Sequence, residues 1–110
     1  MTEIAFYLDE EDKIFGFEAE GHSGFAGRGH DIVCAGISSM TTNCINSLEE
    51  LLKVNVDVET NEKKGYMDVH VSDYKRDDVQ LLFKSLELGL KNLSESYSKN
   101  VKLTNRRCKP

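Results

Sequence analysis

The sequence lacks several features that would place the protein in a broad class. It has no hydrophobic run near the roughly 20 residues that a membrane-spanning helix needs. Its net charge of -5 argues against nucleic-acid binding through a basic groove. Its acidic N-terminus does not resemble a secretory signal, and its three cysteines are an odd number for a disulfide framework. We therefore expect one small cytoplasmic domain, residues 1–110, with reduced thiols and without direct contact to nucleic acid or membrane.

Glycine is unevenly distributed, and proline occurs once. Five of the eight glycines fall between Gly16 and Gly29. The segment from Gly21 to Cys34, GHSGFAGRGHDIVC, combines four of them with two histidines. Most backbone freedom is thus concentrated in one loop, which makes this segment the candidate functional region.

Hydrophobic periodicity predicts the elements around this loop. Alternation predicts five strands: residues 2–8, a stretch with Phe15, Phe17 and Ala19 on one face, a stretch with Val54, Val56 and Val58, a stretch with Met67, Val69 and Val71 inward, and residues 100–104. Spacings of three and four predict two helices, one from the N-cap Asp31 to about Lys53 and one starting near Asp77. The order ββαββαβ suits an α+β two-layer sandwich with a mostly antiparallel sheet and two helices.

Several residues outside the loop are expected to be structural. Leu51 and Cys44 fall on the buried stripe of the first helix, and His70 falls on the solvent face of a strand. Cys108 lies in the tail, where Arg106, Arg107 and Lys109 are expected to form a solvated basic terminus.

Cys34 is the candidate nucleophile. With Asp31 as N-cap, Cys34 is the third helical residue and faces the unpaired amides and the positive end of the helix dipole, which favour thiolate. A histidine within reach would take the thiol proton and later donate it to the leaving amine. We favour His22, at the end of a rigid strand, over His30 on the loop. The amides of Cys34 and Ala35 are candidates for an oxyanion hole.

Other interpretations of the same residues stay open. A cysteine in the first turn of a helix is more often a small buried apolar group than a nucleophile. Asp31 could be only a cap, or it could orient a histidine or bind a substrate amide. A metal site made of His22, His30, Cys34 and Cys44 is disfavoured, because Cys44 belongs to the core stripe and no C-x-x-C pair exists. The loop lacks the phosphate-binding fingerprints, although Arg28 keeps an anion-binding alternative.

The string GHSGFAGRGHDIVCAGIS resembles the ribosomal-processing cysteine proteases called Prp. That family has Gly-His at the end of the second strand, a glycine-rich loop, and the pattern D-I-V-C-A-A-x-S at the start of a helix. This sequence carries Gly21-His22, then Asp31 to Ala35, and Ser38. Gly36 replaces an alanine that is commoner in the family. The resemblance covers essentially the whole chain.

The resemblance implies a cysteine endopeptidase that removes the N-terminal extension of large-subunit ribosomal protein number twenty-seven, cleaving after a hydrophobic, phenylalanine-containing motif. It implies His22 as general base, Cys34 as nucleophile, a homodimer, and the glycine-rich loop as a mobile gate from Ser23 to His30. The other site residues, expected to support catalysis or contact substrate, are Gly21, Asp31, Ala35 and Ser38. No cofactor or metal is expected.

Two further expectations concern the substrate and the alternatives to a protease. The acidic charge fits a basic ribosomal substrate, and a substrate strand could pair with the sheet edge beside His22. The alternatives are a non-enzymatic ribosome-associated binding module, in which Cys34 is merely packed, and an anion- or phosphate-ester-binding enzyme that uses the glycine-rich loop.

Overall fold

A computed structural model describes residues 1–27 and 29–110 of the chain. It confirms the α+β class and the predicted ββαββαβ order. The elements are β1 (Thr2–Leu8), β2 (Ile14–Glu20), α1 (Ile32–Glu50), β3 (Val56–Asn61), β4 (Tyr66–Val71), α2 (Asp77–Ser96) and β5 (Val101–Arg107). None of the helices in the described ranges is long and apolar enough to cross a membrane.

The five strands form one sheet in the order β3-β4-β2-β1-β5. All neighbouring pairs are antiparallel except β1 and β5, which run parallel. The sheet is therefore mostly antiparallel, as predicted. Because β2 lies between β4 and β1, the strand that leads into His22 is central, and β3 and β5 form the two edges. β2 itself has no free edge, and the addition of a substrate strand to the sheet edge beside His22 stays a prediction.

The two helices pack against each other and, together with the sheet, enclose one hydrophobic core. Phe6 and Phe17 are opposite each other on β1 and β2, with ring centroids 5.8 Å apart. Val33 of α1 and Phe83 of α2 are also fully buried in this core. Burying a large apolar side chain contributes roughly 1.5–3 kcal/mol, so this contact surface fixes α1 and with it the position of Cys34.

A β-bulge changes the alternation predicted for the second strand. Tyr7 pairs with Gly16, but the next residue, Leu8, pairs with Ile14, so Phe15 is an extra residue in β2. A bulge of this kind interrupts the strict inward and outward alternation. The Phe15 ring stacks on Tyr7, at 5.5 Å between centroids, and lies 6.0 Å from the ring of His70. The prediction that Phe15 shares a face with Phe17 is therefore wrong.

His70 is less exposed than its strand position predicts. Its ring stacks on Tyr7 at 4.9 Å, and its Nε2 atom lies 3.0 Å from the Asp68 carboxylate. The imidazole is 44% exposed. The predicted position on the solvent face is therefore correct in part, and Tyr7 and Phe15 cover the rest of the ring.

The end of α1 and the start of β3 differ from the predicted boundaries. The helix stops at Glu50 instead of about Lys53, and Leu51, predicted to be buried, is 74% exposed. The chain turns away through Lys53, which has a positive φ of 57°. The Val54 N–H then donates to the Leu48 carbonyl at the end of the helix, so Val54 is buried outside the strand.

The last strand is longer than predicted and includes most of the basic tail. Arg106 forms an ion pair with Glu18, at 3.2 Å, across the sheet. Arg107 donates to the Asp9 carbonyl at 2.6 Å and pairs with Asp12. Both arginines are exposed, as predicted, but they lie in β5 rather than in a tail, because parallel pairing with β1 extends to Arg107.

Candidate active site

The start of α1 is organised by the side chain of Asp31. Its Oδ1 atom accepts hydrogen bonds from the amides of Val33, at 3.0 Å, and Cys34, at 2.9 Å. This confirms the predicted N-cap and places Cys34 in the first turn, near the positive end of the helix dipole. The Cys34 residue is partly buried.

The same hydrogen bonds bear on the predicted oxyanion hole. The Cys34 N–H is donated to the Asp31 carboxylate, and the Ala35 N–H is donated to the Asp31 carbonyl at 3.1 Å. Both amides already have acceptors, which argues against their use as an oxyanion hole without rearrangement. The side chain of Ala35 is exposed.

Ser23 is a residue that sequence reasoning did not select. It is only 1% exposed, and its backbone N–H donates to the Cys34 sulfur at 3.3 Å. Its hydroxyl donates to the second carboxylate oxygen of Asp31 at 2.5 Å, and its carbonyl accepts from the Asn100 side chain at 2.9 Å. Ser23 is thus held inside the structure, although it is the first residue of the predicted gate. A polar residue in a glycine-rich loop gives no periodic signal, so the sequence contained no pointer to its burial.

The Asp31 carboxylate is stabilised in its charged form. Partial burial alone would raise its pKa, but hydrogen bonds from the Ser23 hydroxyl and from the Cys34 amide and thiol lower the pKa to about 2. A negative charge therefore lies beside the sulfur at neutral pH. That charge opposes thiolate formation, while the helix dipole and the Ser23 N–H favour it.

His22 follows β2 and is exposed to solvent. Its Nε2 atom lies 3.3 Å from the carbonyl oxygen of Lys63, in the turn between β3 and β4. The strand end itself is fixed to the same turn, because the Gly21 N–H donates to the Gly65 carbonyl at 3.0 Å. Within the described part of the chain, His22 makes no hydrogen bond to the Cys34 sulfur, so the two predicted catalytic groups are close but not engaged.

One cavity of about 340 Å³ brings most of the predicted site residues together. Gly21, His22, Cys34 and Ser38 all line it. The described residues of its wall do not include Asp31, Ala35 or His30. The rest of the wall is formed by Thr2, Ala19, Ile37, Thr41, Thr60, Glu62, Gly65, Tyr66 and Met67. The cavity thus has polar and apolar walls, with the candidate nucleophile and base both facing it.

The remaining cysteines and the loop have separate surroundings. Cys44 is 4% exposed in the core, and burial raises the pKa of its thiol to about 12, which confirms its structural assignment. Cys108 is exposed. The Phe25 ring makes an edge contact with Tyr97 of the α2 end, at 5.3 Å between centroids. Arg28, on which the anion-binding alternative depends, lies outside the described residues.

The match to a family of known proteins decides between a protease, a non-enzymatic binding module and an anion-binding enzyme. Residues 1–102 match the family model described as cysteine protease Prp. The chain belongs to the cysteine protease Prp family. It is therefore a cysteine protease, as predicted, and the two non-protease alternatives lose their support.

Relatives of known identity cover almost the full chain. The ribosomal processing cysteine protease Prp of Staphylococcus aureus is 26% identical over 103 residues, covering 94% of this chain and 97% of the relative. The protein of that name in Bacillus subtilis is 27% identical over 108 residues, covering 94% and 96%. A crystal structure of the Staphylococcus aureus Prp with a covalently linked product peptide superposes with a TM-score of 0.91 at 25% identity, covering 96% of this chain and all of that one.

Proposed function

We propose that residues 1–110 act as one protease domain that removes the N-terminal extension of large-subunit ribosomal protein number twenty-seven, cleaving after a hydrophobic, phenylalanine-containing motif. In this proposal Cys34 is the nucleophile and His22 the general base. The observation that carries it is that both side chains line one cavity, with Cys34 at the start of a helix. Membership in the Prp family and relatives named as ribosomal processing proteases support the substrate class.

The proposed reaction has two stages. His22 takes the thiol proton, and the Cys34 sulfur attacks the carbonyl carbon of the scissile peptide bond to form a tetrahedral intermediate. The intermediate breaks its carbon–nitrogen bond, and His22 returns the proton to the leaving amine. Water then attacks the resulting thioester with His22 again acting as base, which releases the acid product and restores the thiol.

The orientation of His22 suggests which ring nitrogen acts. If the Nε2–H is donated to the Lys63 carbonyl, the Nδ1 atom is the one left to accept a proton. We propose that Nδ1 meets the sulfur when substrate fills the cavity, because hydrogen bonds between catalytic groups often tighten only in the complex. The Lys63 carbonyl then orients the imidazole, which is the role of the third side chain in a catalytic triad.

The other predicted site residues support this arrangement in different ways. Gly21 holds the strand end: it has a positive φ of 95°, and a Cβ there would come within 2.4 Å of the Met1 carbonyl oxygen. Asp31 caps the helix and fixes the first turn around Cys34. Ser38 lies four residues after Cys34 on the same helix face, so we propose that it contacts substrate in the cavity. Ala35 is proposed as a contact at the exposed rim.

The cavity also suits the proposed cleavage motif. Ala19, Ile37 and Met67 give it an apolar wall, and its volume of about 340 Å³ accommodates an aromatic side chain. Glu62 at the wall and the net charge of -5 would attract a basic ribosomal protein. We propose that the glycine-rich loop acts as the gate and that Phe25, whose ring contacts Tyr97, holds it near α2.

We further propose a homodimer that acts in the cytoplasm, where a catalytic thiol stays reduced. The dimer follows from the resemblance to the family. Light scattering on the purified chain should give twice its monomer mass of 12.4 kDa. A monomer mass at assay concentrations would rule the dimer out as the active form.

The direct test uses the unprocessed ribosomal protein. After incubation with the enzyme, mass spectrometry should show one new N-terminus immediately after the phenylalanine-containing motif. The control is the same ribosomal protein with that phenylalanine replaced by aspartate, which should remain uncut. The proposed substrate would be contradicted if the ribosomal protein kept its extension, or if the enzyme cut the control equally well.

A further inference from the structure

We infer that the backbone N–H of Ser23 is the donor that stabilises the charged sulfur of Cys34, and that Asn100 is the positioning residue that directs it there. The inference rests on the proposed role of Cys34 as nucleophile. Asn100 lies outside the string that carries the family resemblance, 77 positions away from Ser23 in the sequence.

The need for such a donor follows from the hydrogen bonds at the start of α1. The amide of Cys34 is bonded to the Asp31 carboxylate, and that of Ala35 is bonded to the Asp31 carbonyl. The Asp31 carboxylate also places a negative charge beside the sulfur, which disfavours thiolate. A donor from outside the helix would offset this charge, and the Ser23 N–H lies in that place, 3.3 Å from the sulfur.

Ser23 is held on three sides, so its amide has a fixed direction. Its hydroxyl is bonded to Asp31 at 2.5 Å, its carbonyl accepts from Asn100 Nδ2 at 2.9 Å, and its side chain is fully buried. Gly24, the next residue, has a positive φ of 72° and open space around it. The Ser23 hydroxyl also accepts a hydrogen bond from the Phe25 N–H at 3.3 Å, across this glycine.

Asn100 is suited to direct Ser23 because its own backbone is held by two other elements. Its N–H donates to the Tyr97 carbonyl at 2.8 Å, and its carbonyl accepts from Thr2 at 2.9 Å. It thus lies at the junction of α2, β5 and the start of β1. From this position its side-chain amide reaches the Ser23 carbonyl and connects the core of the fold to the peptide that faces Cys34.

The test is the pH dependence of Cys34 alkylation in Asn100→Asp, which keeps the side-chain shape but replaces the donor with a carboxylate. A Cys108→Ser background removes the exposed competing thiol. Asn100→Asp no longer holds the Ser23 peptide in place, so the hydrogen bond from the Ser23 N–H to the charged sulfur weakens, and the pH midpoint of alkylation should rise by about one unit. At pH values below both midpoints the alkylation rate should then fall about tenfold, and kcat for peptide cleavage should fall more than KM changes. Asn105→Asp, at an exposed position of β5, should leave the midpoint unchanged.

A second variant separates the lost donor from the added charge. Asn100→Ala removes the donor without introducing a carboxylate, and it also serves if Asn100→Asp does not fold. A folded Asn100→Ala protein with the wild-type midpoint would overturn the inference. The alkylation needs no substrate, so a shifted midpoint in an enzyme that leaves the ribosomal protein intact would support the inference and count against the proposed function.

Discussion

The Nε2 atom of His22 lies 3.3 Å from the carbonyl oxygen of Lys63, in the turn that joins β3 to β4. The ring of the proposed base is therefore oriented by the backbone of a turn. The same turn holds the end of β2, through the hydrogen bond from Gly21 to Gly65. The position of the histidine thus depends on the β3–β4 hairpin, an element far from the sequence motif that contains the histidine.

The choice of histidine can be tested by two matched substitutions. His22→Ala should lower kcat by about 10²–10⁴-fold, the usual contribution of a positioned general base. His30→Ala should keep most of the activity, because His30 is exposed and is not among the described residues of the cavity wall. Peptide cleavage rates measured on both folded variants check this. An equally severe loss in His30→Ala would contradict the assignment.

The charge on Asp31 should make stability depend on pH in a defined window. Hydrogen bonds lower its folded pKa from 3.8 to about 2, so its contribution is complete above the unfolded value and is lost as the pH falls toward 2. Asn retains the capping oxygen but not the charge. We expect Asp31→Asn to be less stable than wild type at neutral pH, with the difference shrinking between pH 3.8 and about 2. Urea unfolding across this range measures it, and a constant difference would show that the charge is irrelevant.

The three cysteines should differ in their reaction with an alkylating reagent. Cys44 should stay unmodified in the folded protein, because it is 4% exposed and burial raises the pKa of its thiol to about 12. Cys34 lines a cavity that solvent can enter and should react, and Cys108 should react as an ordinary exposed thiol. Peptide mapping after a short exposure distinguishes the three. If Cys34 proved as inert as Cys44, the sulfur would be a packing group.

Gly65 should be sensitive to substitution because it packs against the base. It has a positive φ of 60°, and a Cβ there would lie 2.6 Å from the Gly21 carbonyl oxygen and 3.0 Å from His22 Cε1. Backbone strain alone costs about 1–3 kcal/mol. Gly24→Ala shares a positive φ but meets nothing within 4 Å, so it serves as the strain control. Thermal unfolding should show a larger loss in Gly65→Ala, and equal losses would mean that the contact with His22 is unimportant.

The parts of the fold that could be predicted are those with a strong local signal. Asp31 lies directly before an apolar stripe of helical spacing, so both the cap and the placement of Cys34 follow from sequence. Phe15 could not be placed, because a bulge is set by the pairing of Tyr7 with Gly16 and Leu8 with Ile14. Arg107 was predicted to lie in the tail for a related reason, because the length of β5 depends on its parallel pairing with β1.

The candidate site also has a part that the sequence predicts and a part that it does not. The motif predicts His22 and Cys34 as site residues, but their surroundings come from residues distant in sequence. Asn100 reaches Ser23, and Lys63 reaches His22, through contacts that only the folded sheet creates. The predicted oxyanion hole conflicts with the predicted cap, because the Asp31 carboxylate takes the Cys34 N–H and the first regular helical bond takes the Ala35 N–H.

The central claim is that Cys34 performs the chemistry, and one measurement tests it most directly. Wild type, Cys34→Ala and Cys108→Ala are each incubated with the unprocessed ribosomal protein, and the substrate mass is followed with time. Wild type and Cys108→Ala should both produce the shortened protein, while Cys34→Ala should leave the substrate at full mass although its fold is unchanged. Continued shortening of the substrate by purified Cys34→Ala would contradict the account.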